Sequence, residues 1–193
     1  MLLRLSLKNW MSFKTETEFC LIAGREKQHS GRLPRIPKYR LRILPAVAVY
    51  GGNASGKSNL FRAVLFAQRF VVGGTQPDEP VPVEPFMLDR TSSGVPSGFY
   101  FQLLVDETIY ELRFEVTRSK VVSESLTKIL STREVLLYSR TVEGIQFGEG
   151  LQDDDFMVFA YQGTRENELF LTNAVSQNVE LFRPVYDWFR RTL

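Results

Sequence analysis

Gly51 is followed by four residues and then by Gly56-Lys57-Ser58, a glycine-rich turn that ends in a lysine and a hydroxyl. That spacing is the Walker A pattern of phosphate-binding loops, and its chemistry follows from the residue types. Glycines let the backbone curl until successive N–H groups point inward at phosphate oxygens. A helix starting at the lysine aims the positive end of its dipole at the same charge. Lys57 then suits the β- and γ-phosphates of ATP, and the Ser58 hydroxyl suits the accompanying Mg²⁺. The candidate contact set is Gly51, Gly52, Asn53, Ala54, Ser55, Gly56, Lys57, Ser58 and Asn59.

Such a loop needs a strand before it and a helix after it. The apolar run ILPAVAVY, ending at Tyr50, predicts a buried central strand. The following SNLFRAVLFAQRFVV predicts a helix, with Leu60, Val64, Ala67 and Val71 on one face, Phe61, Leu65 and Val72 beside them, and Gly73-Gly74 as the stop. Upstream, Leu2–Leu7 and Glu16–Ile22 alternate as an antiparallel pair joined by KNWMSFK, in which Trp10 and Phe13 are expected to pack in the core or stack on adenine. Downstream, Thr75–Pro96 holds five of the nine prolines and reads as an irregular connection. An antiparallel meander then follows, with strands at Phe99–Val105, Thr108–Val116, Lys120–Leu130, Glu134–Ser139 and Phe156–Tyr161. The last segment is helical in period, with Val185, Trp188 and Phe189 on one face and Pro184 in a first turn. The expectation is a mixed α/β fold of one globular unit, divided into 1–74 (strands, loop and helix), 75–168 (connection and β subdomain) and 169–193 (helical end).

Composition excludes several classes. A net charge of +2 over 193 residues does not make a polycation, so any basic surface must be local. With Cys20 and His29 each the single residue of its type, neither a zinc cluster nor a Ser/His/Asp triad can be assembled from this chain alone, and Cys20 reads as a buried free thiol. No leader or membrane-length apolar run is apparent, so a cytoplasmic location is expected. The stretch Arg25–Arg42 carries seven Lys or Arg residues. It reads as a solvated coil, with a nucleic-acid backbone or an acidic partner as the alternatives.

The acids needed to hold a metal are harder to find. LLVDE, Leu103–Glu107, has the letters of a Walker B strand, but it runs straight into TIYELRFEV, so it reads as a hairpin whose tip is Asp106-Glu107. Asp153-Asp154-Asp155 precedes its apolar run and reads as a solvated tip or turn.

YGGNASGKSN at Tyr50–Asn59 resembles the YGxNGSGKSN form of ABC-type ATPase heads in the SMC, RecF and OLD-like group, with Ala54 where many members have glycine. LSLKNWMSFK at Leu5–Lys14 is similar to that group's first strand and turn. EPFMLD (Glu84–Asp89), LFLTNAVSQN (Leu169–Asn178) and PVYDWF (Pro184–Phe189) are similar to AAA-type ATPases of abortive-infection and anti-phage defence. The resemblance implies the N-terminal part of a partial ABC-type head that dimerises around ATP and Mg²⁺ and controls an effector nuclease or toxin. It also implies a glutamine at the metal and the attacking water, for which Gln177 is the first candidate and Gln162 the second. Without Walker B and signature motifs, this chain alone is expected to bind nucleotide weakly and not to turn it over. A truncated head, a non-catalytic scaffold for a toxin or trigger, and a small NTPase using LLVDE remain the competing expectations.

Overall fold

The computed structural model describes residues 1–24, 30–152 and 154–192. Nine strands and four α-helices are named along them: β1 (Leu2–Lys8), β2 (Thr17–Cys20), β3 (Arg35–Ile36), β4 (Leu41–Arg42), α1 (Lys57–Gly73), β5 (Ser97–Val105), β6 (Thr108–Val116), β7 (Val121–Ile129), β8 (Glu134–Thr141), β9 (Gly144–Phe147), α2 (Asp155–Gln162), α3 (Phe170–Ser176) and α4 (Arg183–Thr192). Seven strands form one antiparallel sheet in the order β2-β1-β5-β6-β7-β8-β9, and β3 and β4 make a separate hairpin. The fold is mixed α/β.

Alternation explains how the sheet is covered. Phe99, Phe101 and Leu103 of β5 and Leu112, Phe114 and Val116 of β6 turn to one face, where the helices lie. An irregularity between Leu2 and Arg4 of β1 sends Leu3 into a second small core with Ile36, Ile43 and Ile109, while Leu5 and Leu7 stay in the main one. One strand therefore seats both the helical layer and the β3–β4 hairpin.

α1 buries Ala63, Phe66, Ala67, Phe70 and Val71. This stripe is rotated from the expected one, because the two phenylalanines offer the largest apolar area. Phe66 lies 5.0 Å from Phe99 and Phe70 lies 5.9 Å from Phe114, ring centre to ring centre. Phe61 and Leu65 consequently face outward, 61% and 46% exposed. The helix stops at Gly74, whose φ of 63° is the left-handed conformation glycine accepts without a steric penalty.

The structure corrects the sequence reading at several points. Residues 44–50 form no strand: among the described residues no ladder partner accompanies them, and Val47, Val49 and Tyr50 are exposed, Tyr50 by 90%. The expected central strand thus lies outside the sheet. Phe156–Tyr161 is helical, because the Asp154 carboxylate accepts from the amides of Phe156 and Met157 and caps α2. Asp154 and Asp155 are therefore a helix start and not a hairpin tip, while Asp153 lies outside the described residues. A run without polar breaks has no period to separate strand from helix. The shared face of Trp188 and Phe189 is buried within the chain: Phe189 meets Phe101 edge-on at 5.2 Å, and Gln68 Nε2 donates to its carbonyl. Cys20 is half-buried, since β2 is an edge strand with one open side.

α3 begins without a cap of its own, and Glu124 of β7 supplies one. Its carboxylate accepts from the amides of Phe170 (2.7 Å) and Leu171 (3.0 Å) and from the Tyr138 hydroxyl (2.6 Å), with Arg140 Nη1 3.7 Å away. Burial pushes this carboxyl up from its ordinary value, and those donors oppose the rise. Arg140 in turn donates to the carbonyls of Glu168 and Arg165, which ties β8 to the loop before α3.

Candidate functional site

The turn 51–56 leads into the first residue of α1. Gly56 has φ 91° and ψ 0°, and Ala54 has φ 62°. A side chain in that left-handed region costs about 1–2 kcal/mol, which accounts for the glycine that Ala54 replaces in the resembling group. Space is as tight as torsion. A Cβ on Gly51 would meet Ser55 Oγ at 2.5 Å, and one on Gly56 would meet Ser12 Oγ at 2.7 Å.

The donors of the turn are left for something else. Ser55 N reaches Gly52 O at a long 3.4 Å, and Leu60 N bonds Gly56 O at 3.1 Å. Among the described residues the amides of Gly52, Asn53, Ala54, Gly56, Lys57 and Ser58 have no acceptor. Lys57 folds back over them: Nζ donates to the carbonyls of Gly51 and Gly52, both at 2.7 Å, and to Ser55 Oγ at 3.3 Å. Lys57 therefore stays over the hollow, and its charge rests against neutral oxygens with no carboxylate beside it among the described residues. An incoming anion can take the ammonium from those carbonyls because a charged acceptor makes a stronger hydrogen bond. Room for backbone approach, free amides at a helix N-terminus and an uncompensated lysine fit a polyphosphate, and the adjacent Ser58 hydroxyl fits a hard cation carried with it.

The turn between β1 and β2 holds this loop from below. Trp10 Nε1 donates to the Asn59 carbonyl (2.9 Å), and Asn59 Nδ2 donates to Ser12 Oγ (3.1 Å). Trp10 is a core residue, against Phe66 and Phe99, so it does not stack on a base; Phe13 lies half-buried beside Gly56. The same turn is fastened to 84–97 by Asn9, whose side chain donates to the carbonyls of Ser92 and Val95 and accepts from the Phe86 amide. Lys14 pairs with Asp89 at 2.6 Å, which with the Thr91 hydrogen bonds holds that half-buried carboxyl well below the usual carboxylate range. Ser12 was marked in the sequence only as part of the LSLKNWMSFK resemblance, with nothing there to say that it would touch the loop. Glu124 did carry one, since it shares the inward parity of Leu126 along β7.

Other candidates do not join the loop. Gln177 follows α3, with Nε2 donating to Asn173 Oδ1 (3.2 Å) beside Gly163. α3 touches the last turn of α1, where Thr172 donates to the Val71 carbonyl. The loop lies at the other end of that 17-residue helix, which is about 24 Å long at 1.5 Å per residue. The structure therefore does not bring Gln177 to Lys57 and Ser58, and Gln162, the last residue of α2, lies on the same α2–α3 side. Asp106 and Glu107 form the two-residue turn between β5 and β6, with φ of 45° and 60°. The opposite end of β5 carries Phe99, which packs on Trp10, so this acid pair sits a strand's length from the loop. His29 and Arg25 lie outside the described residues.

Among the described residues no helix is long and apolar enough to cross a membrane. A family described as "AAA domain, putative AbiEii toxin, Type IV TA system" matches residues 46–171, from the run before the loop to the first turn of α3. No curated protein matches the chain.

Proposed function

Because the chain belongs to this family of AAA domains, associated with the AbiEii toxin of type IV toxin–antitoxin systems, we propose that residues 51–59 bind ATP with Mg²⁺. In this reading the chain is the nucleotide-binding N-terminal part of an ABC-type, SMC-like ATPase in an abortive-infection system. The observation that supports it most directly is the Lys57 ammonium lying over open amides at the start of α1, held only by neutral oxygens. Lys57 would hold the β- and γ-phosphates, the loop amides the remaining phosphate oxygens, and Ser58 the metal. Bound Mg²⁺ neutralises phosphate charge and polarises the terminal phosphoryl group. The turn at Trp10 and Ser12 keeps the helix start in register beneath it.

The partner in this reading is the remaining part of an ATPase head or a second copy of it. Val47, Val49 and Tyr50 in an unladdered run, with Phe61 and Leu65 outward on α1, give apolar surface for it to cover. Control of an effector nuclease or toxin belongs to the same proposal. An acid for hydrolysis must then come from the partner, since Asp106-Glu107 closes a hairpin far from Ser58.

Titration calorimetry with ATP and Mg²⁺ tests the reading. The wild-type chain is expected to bind, and Gly51→Ala to bind about tenfold more weakly. A methyl there would meet Ser55 Oγ at 2.5 Å, so the turn must shift and at least one loop amide loses its aim at phosphate, a bond to a charged group worth about 1.5 kcal/mol. A wild-type chain that takes up no nucleotide would remove the proposal.

A further inference from the structure

The β3–β4 hairpin presents charge in a way its own stability does not call for. Between residues 30 and 42 the sequence has five basic residues and no acid. Arg35 faces Arg42 across the β3–β4 pair, and Ile36 faces Leu41. Register mates share a face. Ile36 and Leu41 turn onto Leu3, Ile43 and Ile109, so Arg35 and Arg42 leave together on the outward side.

These cations ride on a fixed support, in contrast to the solvated coil expected for this stretch. Tyr39 Oη donates to the Ile129 carbonyl (2.8 Å) and accepts from the Ile109 amide (3.2 Å), Lys38 Nζ donates to the Glu107 carbonyl (3.1 Å), and Ile43 N bonds Pro34 O. Arg42 is partly committed to the Gly24 carbonyl. Arg32, Arg35 and Arg40 are exposed and form no ion pair among the described residues.

We infer that the outward face of the β3–β4 hairpin binds the sugar–phosphate backbone of duplex nucleic acid without reading its bases. Four of the five cations are arginines, whose planar fork matches phosphate oxygens. Single-strand sites add exposed aromatic rings for stacking, whereas the one aromatic of this stretch is turned into the fold. Protein interfaces centre on apolar or aromatic anchors, and Ile36 and Leu41 are likewise turned in. The hairpin sits against the Leu3 end of β1 and the phosphate loop against the end that leads to Trp10, so the two sites are separate.

Fluorescence anisotropy with a labelled DNA duplex of arbitrary sequence, followed over a salt series, tests this. Neutralising three phosphates predicts a log–log slope of affinity against salt of about −3, from about −0.9 per phosphate. Arg32→Glu/Arg35→Glu/Arg40→Glu is expected to weaken binding at least about tenfold at low salt and to flatten the slope. Glu at 35 would face Arg42 as an opposite charge, so the hairpin should keep its fold and the melting temperature should hold. Should that triple variant unfold, Arg32→Gln/Arg40→Gln, away from the facing pair, is expected to lower the slope by about 2. Absence of duplex binding by the wild-type chain, equal binding by a folded variant, or preference for the matching single strand or an acidic peptide would each overturn the inference. Lys57→Ala is expected to bind the duplex as wild type does, which keeps this result independent of the nucleotide reading.

Discussion

Replacing Glu124 with alanine is expected to destabilise the fold by about 3–5 kcal/mol, the cost of removing one partner of a buried charged cluster. Three donors lose their acceptor at once: the amides of Phe170 and Leu171 and the Tyr138 hydroxyl. Arg140 keeps two carbonyls but loses its buried counter-charge. For a domain of this size a midpoint about 10 °C lower in a thermal melt follows, and a drop corresponding to less than 1 kcal/mol would show that the cluster is not holding α3. Glu124→Gln adds a test in pH. Burial raises the folded carboxyl's pKa above its ordinary value, so the folded state holds the proton more tightly than the unfolded chain. The wild-type chain therefore loses stability as pH rises above the unfolded value of about 4.5 and through the raised folded one, whereas the amide does not titrate. Wild type should be the more stable of the two, by a margin that narrows with rising pH. Glu168 is raised first by burial, which both proteins share, and in smaller part by the Glu124 charge, which the variant removes.

Lys57→Ala carries the second large effect. A hydrogen bond to a charged group contributes about 1.5–3 kcal/mol, so loss of the ammonium should weaken ATP binding by one to two orders of magnitude in calorimetry. The fold should be little changed, because Lys57 supports only loop carbonyls and Ser55 Oγ. Equal affinities for wild type and variant would mean that any nucleotide bound sits elsewhere. Lysine shields these carbonyls in the structure, so the variant also tests whether the turn keeps its curl without it, readable as a change in the amide exchange of residues 52–56.

The shape of the loop was legible because it is set locally: glycine at 56, a lysine next to it and a helix that follows all lie within a few residues. The β5–β6 hairpin was legible for the same reason, since a polar pair between alternating runs leaves little else to form. What failed depended on distant partners. ILPAVAVY has the composition of a buried strand, but burial needs neighbouring strands that the described residues do not provide. Phe156–Tyr161 has no period, and only the Asp154 cap decides it. The face of α1 turned on which apolar residues the sheet would receive, and Phe99 and Phe114 favoured Phe66 and Phe70. Gln177 was chosen by its place in a motif, and no local pattern could tell that a whole helix would lie between it and Ser58.

The approach to the phosphate loop also determines where the isolated chain is vulnerable. Chymotrypsin-like proteases cut after a large aromatic residue in an accessible segment, and Tyr50 is exposed with no hydrogen-bonded ladder to dissolve first. A brief digestion read by mass spectrometry should nick the polypeptide after Tyr50 before it touches the buried rings of the sheet, and occlusion of that peptide bond by an assembly partner would appear as a longer-lived parent band.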